Sequence, residues 1–373
     1  MAKKRTGRRS IGIGIVGTGL MGSIHAGCYA REKGCKVVGY FNRTPQKADA
    51  LARRYGGCVY ESLDALLADD RIDAVNISTA QAIHAPQVIA AAEAGKHIFC
   101  EKPVALTVSE LDAIERAVKR AGVTFMTGHQ LRFHPVVNAV KAALPKIGAP
   151  YHLDLEWTLL IKSLGGRCWE SYHLGGFFME LGCHVADLAC YLFGPVADLS
   201  AYTLRINPER ITEDYTHSLL KFESGAVGSI VVSANHRTGR QGLLHGRALG
   251  EKGRIEFTVY PYQRAFNEAR LVLDRGKSIF VPDVTVRPIR VKKPPSPHKV
   301  FAGFFDVYQR EASAFLAAVR TGSPPPCTLR DGRSAVEIVL ASYHQQGVAA
   351  ARRNFVNRPG KYRSDADCHP LLK

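Results

Sequence analysis

The chain is poor in what would cross-link it or anchor it in a bilayer. No run is long and apolar enough to span a membrane, so a transmembrane helix is not expected. Its nine cysteines, Cys28, Cys35, Cys58, Cys100, Cys168, Cys183, Cys190, Cys327 and Cys368, are odd in number and widely scattered, with no Cys-x-x-Cys spacing. That argues against a zinc or redox pair and predicts reduced thiols in a cytoplasmic protein. Acidic residues are also short, 33 against 50 basic ones, for a formal charge of +17.

A basic surface attracts phosphate whatever the base sequence, but the distribution here speaks against nucleic acid. Much of the excess lies in Lys3, Lys4, Arg5, Arg8 and Arg9 and in Arg287, Arg290, Lys292, Lys293 and Lys299, without interleaved aromatics to stack bases. The expectation is a solvated basic surface, or steering of an anionic substrate, with no nucleic-acid and no membrane partner. Arg8-Arg9 ahead of Ile11 to Met21 has the form of a twin-arginine export signal. Cleavage beyond that stretch would, however, remove the glycine turn that it contains.

What is present is enough apolar content, 46% of 373 residues, for two packed cores. Short β-branched runs at Ile11 to Val16, Lys36 to Phe41, Ala74 to Ile77, His97 to Cys100 and Val123 to Thr127 alternate with helical patterns at Leu20 to Ala30, Pro45 to Tyr55, His84 to Ala94 and Val108 to Ala121. Pro45 opens its helix, and Thr107 with Glu110 forms a capping box. Strict alternation predicts a parallel, doubly wound sheet. Beyond Pro135 the pattern changes to alternating segments at Tyr151 to Leu160, Leu199 to Ile206, His217 to Phe222, Ala226 to Ala234, Arg254 to Phe257 and Ala269 to Leu273, with a hairpin turn over Lys221 to Ala226. This half reads as a largely antiparallel sheet, followed by late helices at Asp306 to Arg320 and Gly332 to Gln346 that pack back on the junction.

The turn Gly17-Thr18-Gly19-Leu20-Met21-Gly22 lies between the first strand and the first helix, the context that makes a glycine trio a dinucleotide signal. Gly17 allows the tight turn, Gly19 lets backbone approach a pyrophosphate, and Gly22 lets helix and strand pack closely. About twenty residues on, where a carboxylate would bind the adenosine ribose, stand Asn42-Arg43-Thr44. Arg43 would attract a 2′-phosphate, so NADP is slightly favoured over NAD.

Eighty residues beyond Gly22, Phe99-Cys100-Glu101-Lys102-Pro103 delivers an ammonium group at a strand end. In the helix Gly176 to Leu192, Glu180, His184 and Asp187 form a polar stripe beside an apolar face. Four-residue spacing places Glu180 one turn from His184, where a carboxylate can orient an imidazole. A polar helix face and a metal site compete with acid/base chemistry as readings. Without HExxH or a second tight cluster no metal is expected, and the stripe reads best as acid/base groups joined to Lys102 across the domain junction. Arg132 is placed to anchor substrate or hold that junction. Lys162, Arg167, Trp169, Tyr172 and His173, in the loop before the stripe helix, are placed for hydroxyl or anion contacts.

Together these segments resemble the glucose-fructose oxidoreductase, inositol dehydrogenase and rhizopine-catabolism family, Gfo/Idh/MocA, from Ile11 to about Gly347. The likeness rests on Gly17-x-Gly19-x-x-Gly22, Ile77-Ser78-Thr79 with His84, Gly95 to Pro103, Gly128 to Phe133, and Gly175-Gly176 with Glu180, His184 and Asp187. After the basic tail (1–10), it implies a Rossmann domain (11–133) and an α/β substrate-binding and oligomerisation domain with an open, mainly antiparallel sheet (134–373). It further implies hydride transfer at a secondary alcohol of a sugar, cyclitol or related molecule, and a homodimer or homotetramer formed through the second sheet.

Position by position, the resemblance implies cofactor contacts at Gly17, Thr18, Gly19, Leu20, Met21, Gly22, Asn42, Arg43, Ser78, Thr79, His84, Glu101, Lys102 and Gln130. It implies that Lys102 contacts substrate and nicotinamide ribose and that His184 exchanges the hydroxyl proton, with Glu180 beside them where such dehydrogenases commonly have Asp. Ala80, Gln81, Gln130 and the Asn42-Arg43 pair also depart from the common pattern. Two alternatives use the same residues or the same fold: a recycled, tightly bound dinucleotide serving glycoside elimination or hydrolysis through transient oxidation, and a non-catalytic nucleotide-sensing regulator.

Overall fold

The computed structural model describes residues 10–159, 175–235, 243–259, 268–274, 284–289 and 302–344. They divide between two compact units. The first takes the residues up to Glu101 together with Asp112–Gly128 and Tyr308–Leu329; the second takes Lys102–Leu111, those from His129 to Val307 and those from Arg330 onward.

In the first unit six strands, β1 (Ile11–Val16), β2 (Cys35–Phe41), β3 (Cys58–Val59), β4 (Ala74–Ile77), β5 (His97–Glu101) and β6 (Phe125–Gly128), form one sheet in the order β3-β2-β1-β4-β5-β6. All five pairings are parallel. Every residue of β1 is buried, as a strand covered on both faces requires, and this is why it reads as an unbroken apolar run. The unit's helices are α1 (Leu20–Tyr29), α2 (Pro45–Tyr55), α3 (Leu63–Leu67), α4 (His84–Glu93) and, from Asp112 onward, α5 (Val108–Ala121). The expected alternation is present, with β3 and α3 added; at two and five residues they are too short to show a period. Thr107 and Glu110 form the expected capping box, Thr107 Oγ1 accepting from the Glu110 N–H at 3.2 Å and Glu110 Oε2 from the Thr107 N–H at 3.1 Å.

The strand order reverses between β1 and β4, and Val16 pairs with Ile77 there. The Ser78 N–H donates to Val16 O at 2.8 Å and the Gly17 N–H to Phe41 O at 2.9 Å, which places three strand ends side by side. A crevice at the carboxyl ends of such strands is where ligands bind in open α/β sheets.

The second unit holds β7 (Pro150–Thr158), β8 (Val196–Leu204), β9 (Tyr215–Phe222), β10 (Val227–Ser233), β11 (Leu243–Gly250), β12 (Gly253–Val259), β13 (Glu268–Asp274) and β14 (Val284–Pro288), ordered β14-β13-β12-β11-β7-β10-β9-β8. Among the described residues of this sheet only β7 and β10 pair in parallel. Strand β9 alternates as a one-sided sheet should, with Thr216, Ser218, Leu220 and Phe222 inward and Leu219 and Lys221 exposed. The expected turn joins β9 to β10, closed by the Phe222 N–H on Ala226 O at 2.8 Å. Strands β11 and β14 were not among the expected segments, and β11 carries Gly246 and Gly250, a residue type that weakens a strand interior. Gly246 is instead where the strand makes room for its cross-strand partner: a Cβ there would lie 2.0 Å from the Phe257 ring.

Helices α6 (Pro135–Ala143) and α7 (Cys183–Phe193) pack on this sheet, α6 on β12 and β13, α7 on β7 and β10. The late helices are α8 (Ala302–Thr321) and α9 (Leu329–Tyr343). Both were expected with the second half, but α8 from Tyr308 onward lies in the first unit. There Gln309 Nε2 donates to Cys28 O at 3.2 Å, and Arg320 to Lys33 O at 2.9 Å. All seven described cysteines are free thiols. No helix among the described residues is long and apolar enough to cross a membrane.

One buried ion pair fixes α7. Arg132 Nε and Nη2 bind Asp187 Oδ2 and Oδ1 at 2.9 and 2.7 Å, and Nη2 reaches Asp331 at 3.0 Å. Removing one member of a buried pair leaves an uncompensated charge and costs about 3–5 kcal/mol. Because Asp331 remains, Asp187→Ala is expected at the lower end of that range, read as a lower midpoint of urea unfolding. An unchanged midpoint would show that the pair carries no stability.

Candidate active site

The glycine turn separates what the fold requires from what a ligand requires. Gly17 has φ +91°, and a Cβ there would stand 2.6 Å from Ser78 O; at Gly22 a Cβ would stand 1.9 Å from Gly17 O. Both are demanded by protein packing. Around Gly19 nothing lies within 4 Å of an added Cβ. Bare backbone there serves something that approaches from outside the chain. The α1 N-terminus behind it has no side-chain cap and no acid in its first turn, so its N–H groups and dipole remain available to an anion. Thr18 is buried with Oγ1 lacking any hydrogen-bond partner. These features fit a dinucleotide pyrophosphate.

The other residues read as cofactor contacts in the first unit gather at the same sheet end. Asn42 Oδ1 accepts from the Thr18 N–H at 3.2 Å, while its Nδ2 donates to Thr44 O at 3.0 Å, so an amide ties the turn to the end of β2. Arg43 is exposed beside it. Ser78 Oγ donates to Asn76 Oδ1 and Thr79 Oγ1 to Gln87 Oε1, both at 2.6 Å, and His84 Nε2 lies 3.2 Å from Thr79 O. Leu20 stands exposed at the turn, and Met21 is partly buried.

Glu101 closes β5. It is buried, with Oε1 2.6 Å from Nε2 of His25, whose ring packs against Phe99 and Tyr308. His25 was not read from the sequence, although a histidine on the buried, apolar α1, three residues after Gly22, was a visible signal.

In the second unit Lys102, followed by a cis peptide to Pro103, sends Nζ to Glu180 Oε1 at 2.7 Å and to Glu180 O at 2.9 Å. Glu180 does not sit in a regular α-helix: Phe178–Gly182 form a π turn that leads into α7. The Phe178 ring lies over Gly182, where a Cβ would stand 2.2 Å from it, so the turn in this form needs a glycine there. The expected α-helical register between Glu180 and His184 is therefore absent, and the Glu180 carboxylate goes to Lys102 rather than serving as the imidazole's orienting group.

His184 is buried under β7, its ring 5.6 Å from that of Trp157 and 5.9 Å from that of His129. Its Nδ1 has no hydrogen-bond partner. Burial, then the Lys102 ammonium, then His129 hold it well below the ordinary histidine range, so the ring is a neutral imidazole at pH 7.

Gln130 is buried in the short 3₁₀ turn that ends at Phe133. Arg132, read as anchoring substrate or holding the junction, is turned to Asp187 and Asp331, with Tyr191 under its guanidinium at 5.0 Å. Asp187 of the stripe is likewise taken by Arg132. Lys162, Arg167, Trp169, Tyr172 and His173 lie outside the described residues. Among the described residues no group of three or more His, Cys, Asp and Glu could hold a metal.

The second unit thus holds a strand-end lysine, a carboxylate and a neutral histidine, and the first a glycine turn of the Rossmann dinucleotide-binding type. Residues 11–129 match the Gfo/Idh/MocA oxidoreductase family with its NAD-binding Rossmann fold, and residues 145–256 match that family's C-terminal domain. The chain belongs to the Gfo/Idh/MocA family. It is 28% identical over 337 residues to D-apiose dehydrogenase of Paraburkholderia graminis, covering 88% of this chain and 86% of that one. It is 27% identical over 339 residues to scyllo-inositol 2-dehydrogenase (NAD(+)) of Bacillus subtilis, covering 88% and 92%. A levoglucosan dehydrogenase solved with NADH and levoglucosan shares the fold at TM-score 0.78 and 24% identity, over 91% of this chain and 98% of that one.

The glycines give a paired test. Gly19→Ala should leave the thermal midpoint unchanged and weaken dinucleotide binding at least about tenfold by calorimetry, since only the ligand meets the new methyl. Gly22→Ala should instead lower the midpoint. Equal affinity in Gly19→Ala and the parent would remove the cradle from dinucleotide binding.

Proposed function

We propose that this chain is an NAD(P)-dependent dehydrogenase that moves a hydride between nicotinamide and a secondary alcohol or ketone of a sugar, cyclitol or sugar derivative. The observation that carries it is the Lys102 ammonium, held by Glu180 at 2.7 Å, in the same unit as a buried, neutral His184. The curated names of its relatives, an apiose and an inositol dehydrogenase, support a polyhydroxylated substrate.

A bound nicotinamide supplies the hydride acceptor or donor. His184, unprotonated at neutral pH, takes the hydroxyl proton of the alcohol on a ring nitrogen and returns it in the reverse direction. Lys102 stabilises the negative charge that develops on that oxygen, and Glu180 fixes where the ammonium stands. His129 and Trp157 exclude water from the imidazole.

Turnover in His184→Ala is expected to fall about 100-fold or more with dinucleotide affinity kept, whereas Lys102→Ala should damage both. The pH profile gives an independent reading. The base must be unprotonated, and its depressed pKa means that kcat/KM for alcohol oxidation stays level as pH falls through 6.5 and declines only below it. A half-maximal point at or above 6.5 would exclude His184 as the base.

We further read Asn42-Arg43 as favouring NADP(H), because an amide replaces the carboxylate that would repel a 2′-phosphate and a guanidinium stands exposed next to it. Arg43→Ala should raise KM for NADP about tenfold and leave KM for NAD near its starting value. A parent enzyme that prefers NAD, unaffected by this substitution, would reverse the assignment.

A further inference from the structure

The π turn that carries Glu180 begins without an N-cap of its own. Gly175 and Gly176 precede it, both at positive φ (+92° and +84°), and neither has a side chain to meet the first N–H groups. Two residues from distant parts of the chain do so. Glu213, fully buried two residues ahead of β9, accepts from the Phe178 N–H through Oε1 at 2.7 Å. Tyr343, at the end of α9, accepts from the Met179 N–H on its hydroxyl at 2.9 Å. The hydroxyl also lies 2.6 Å from Glu213 Oε1 and 2.8 Å from Gly175 O. The fit is close: a Cβ at Gly176 would stand 2.8 Å from the Glu213 carboxylate and 3.0 Å from the Tyr343 hydroxyl.

We infer that Glu213 and Tyr343 are positioning residues for the reaction, a buried clamp on the start of the π turn that sets where Glu180 presents its carboxylate and carbonyl to Lys102. This rests on the catalytic reading of Lys102 and His184. The hydrogen-bond arithmetic supports a tight unit. One hydroxyl proton faces two acceptors, the Glu213 carboxyl and Gly175 O, and both are satisfied together when Glu213 is itself protonated and donates to Tyr343. Burial does push Glu213 up, to about 7, against the opposing bonds from Tyr343 and the Phe178 N–H. Unlike a capping side chain within the helix, this clamp ties the turn to two other segments of the unit. A shift of the turn by an ångström or so is enough to cost catalysis up to about 100-fold.

The test compares Glu213→Ala, Glu213→Gln and Tyr343→Phe in the full chain, by backbone hydrogen exchange over residues 176–193 and by kcat, KM and dinucleotide Kd. Glu213→Ala is expected to speed exchange at the turn and lower kcat between about 10- and 100-fold, with Kd unchanged. Glu213→Gln keeps an acceptor for the Phe178 N–H and should recover kcat to within about threefold of the parent. If Glu213→Ala does not fold, Tyr343→Phe, which keeps the ring and removes only the hydroxyl, should show the same direction of change. Parental exchange at the turn in the variants overturns the clamp, as does faster exchange with unchanged kcat. Because exchange is read without turnover, such a failure is distinct from survival of turnover in His184→Ala, which would sink the catalytic reading.

Discussion

An ammonium drawn out of bulk water must be met by negative charge, and the way this chain meets the one on Lys102 organises much of the second unit. The side chain is 11% exposed and its partner, Glu180, 19%. Neither is solvated enough to stand alone, so each constrains the other. Lys102 is fixed at the residue after β5 ends, and the remaining freedom lies with Glu180. A π turn widens the helix at that point and brings both a side-chain oxygen and a backbone carbonyl to one Nζ. A regular α-helix beginning at Gly176 would have given Glu180 a different height and angle.

The dinucleotide cradle obeys a complementary logic. Two of its three glycines are explained by protein atoms that leave no room for a methyl group, and one is explained by none. An uncapped helix end, an orphan threonine hydroxyl and an exposed Leu20 around the unexplained glycine are costs for a free protein. They become consistent when a phosphate and its sugar occupy that end of the sheet. The Asn42 bridge from the turn to Thr44 carries no charge, so it can tie the loop together without deciding against a 2′-phosphate.

Much of the architecture was legible in the sequence because it rests on local periodicity. The glycine trio, the five principal strands of the first sheet and the capping box at Thr107 are patterns of a few neighbouring residues. What escaped depended on contacts across sequence. Strand β11 carries Gly246, a residue type that weakens a strand interior, and its reason shows only once Phe257 is placed over it. Helix α8 had a clear pattern, but its place in the first unit is written in Gln309 and Arg320 meeting backbone carbonyls some 280 residues away. Within the site, Lys102, Glu180 and His184 were visible, whereas the pairing was not. Four-residue spacing joins Glu180 to His184 only if the helix is regular, and the π turn over Phe178–Gly182 removes that condition. Arg132 kept two readings in the sequence, because no local pattern shows that Asp187 and Asp331 both converge on it.

The electrostatic consequence of that re-pairing bears on the protonation state of His184. Were Glu180 bonded to His184, the carboxylate would favour an imidazolium and the histidine would rest protonated, a poor state for accepting a proton from an alcohol. With Glu180 on Lys102, the imidazole faces burial and a cation, and both favour its neutral form. The carboxylate tempers the cation without cancelling it, since Lys102 still acts on His184. On the proposed reading, a proton taken from substrate sits on a histidine that holds it weakly, and it can be passed on before the next turnover. On that same reading, the basicity of His184 is set first by its burial and then by the Lys102 ammonium that Glu180 holds in place.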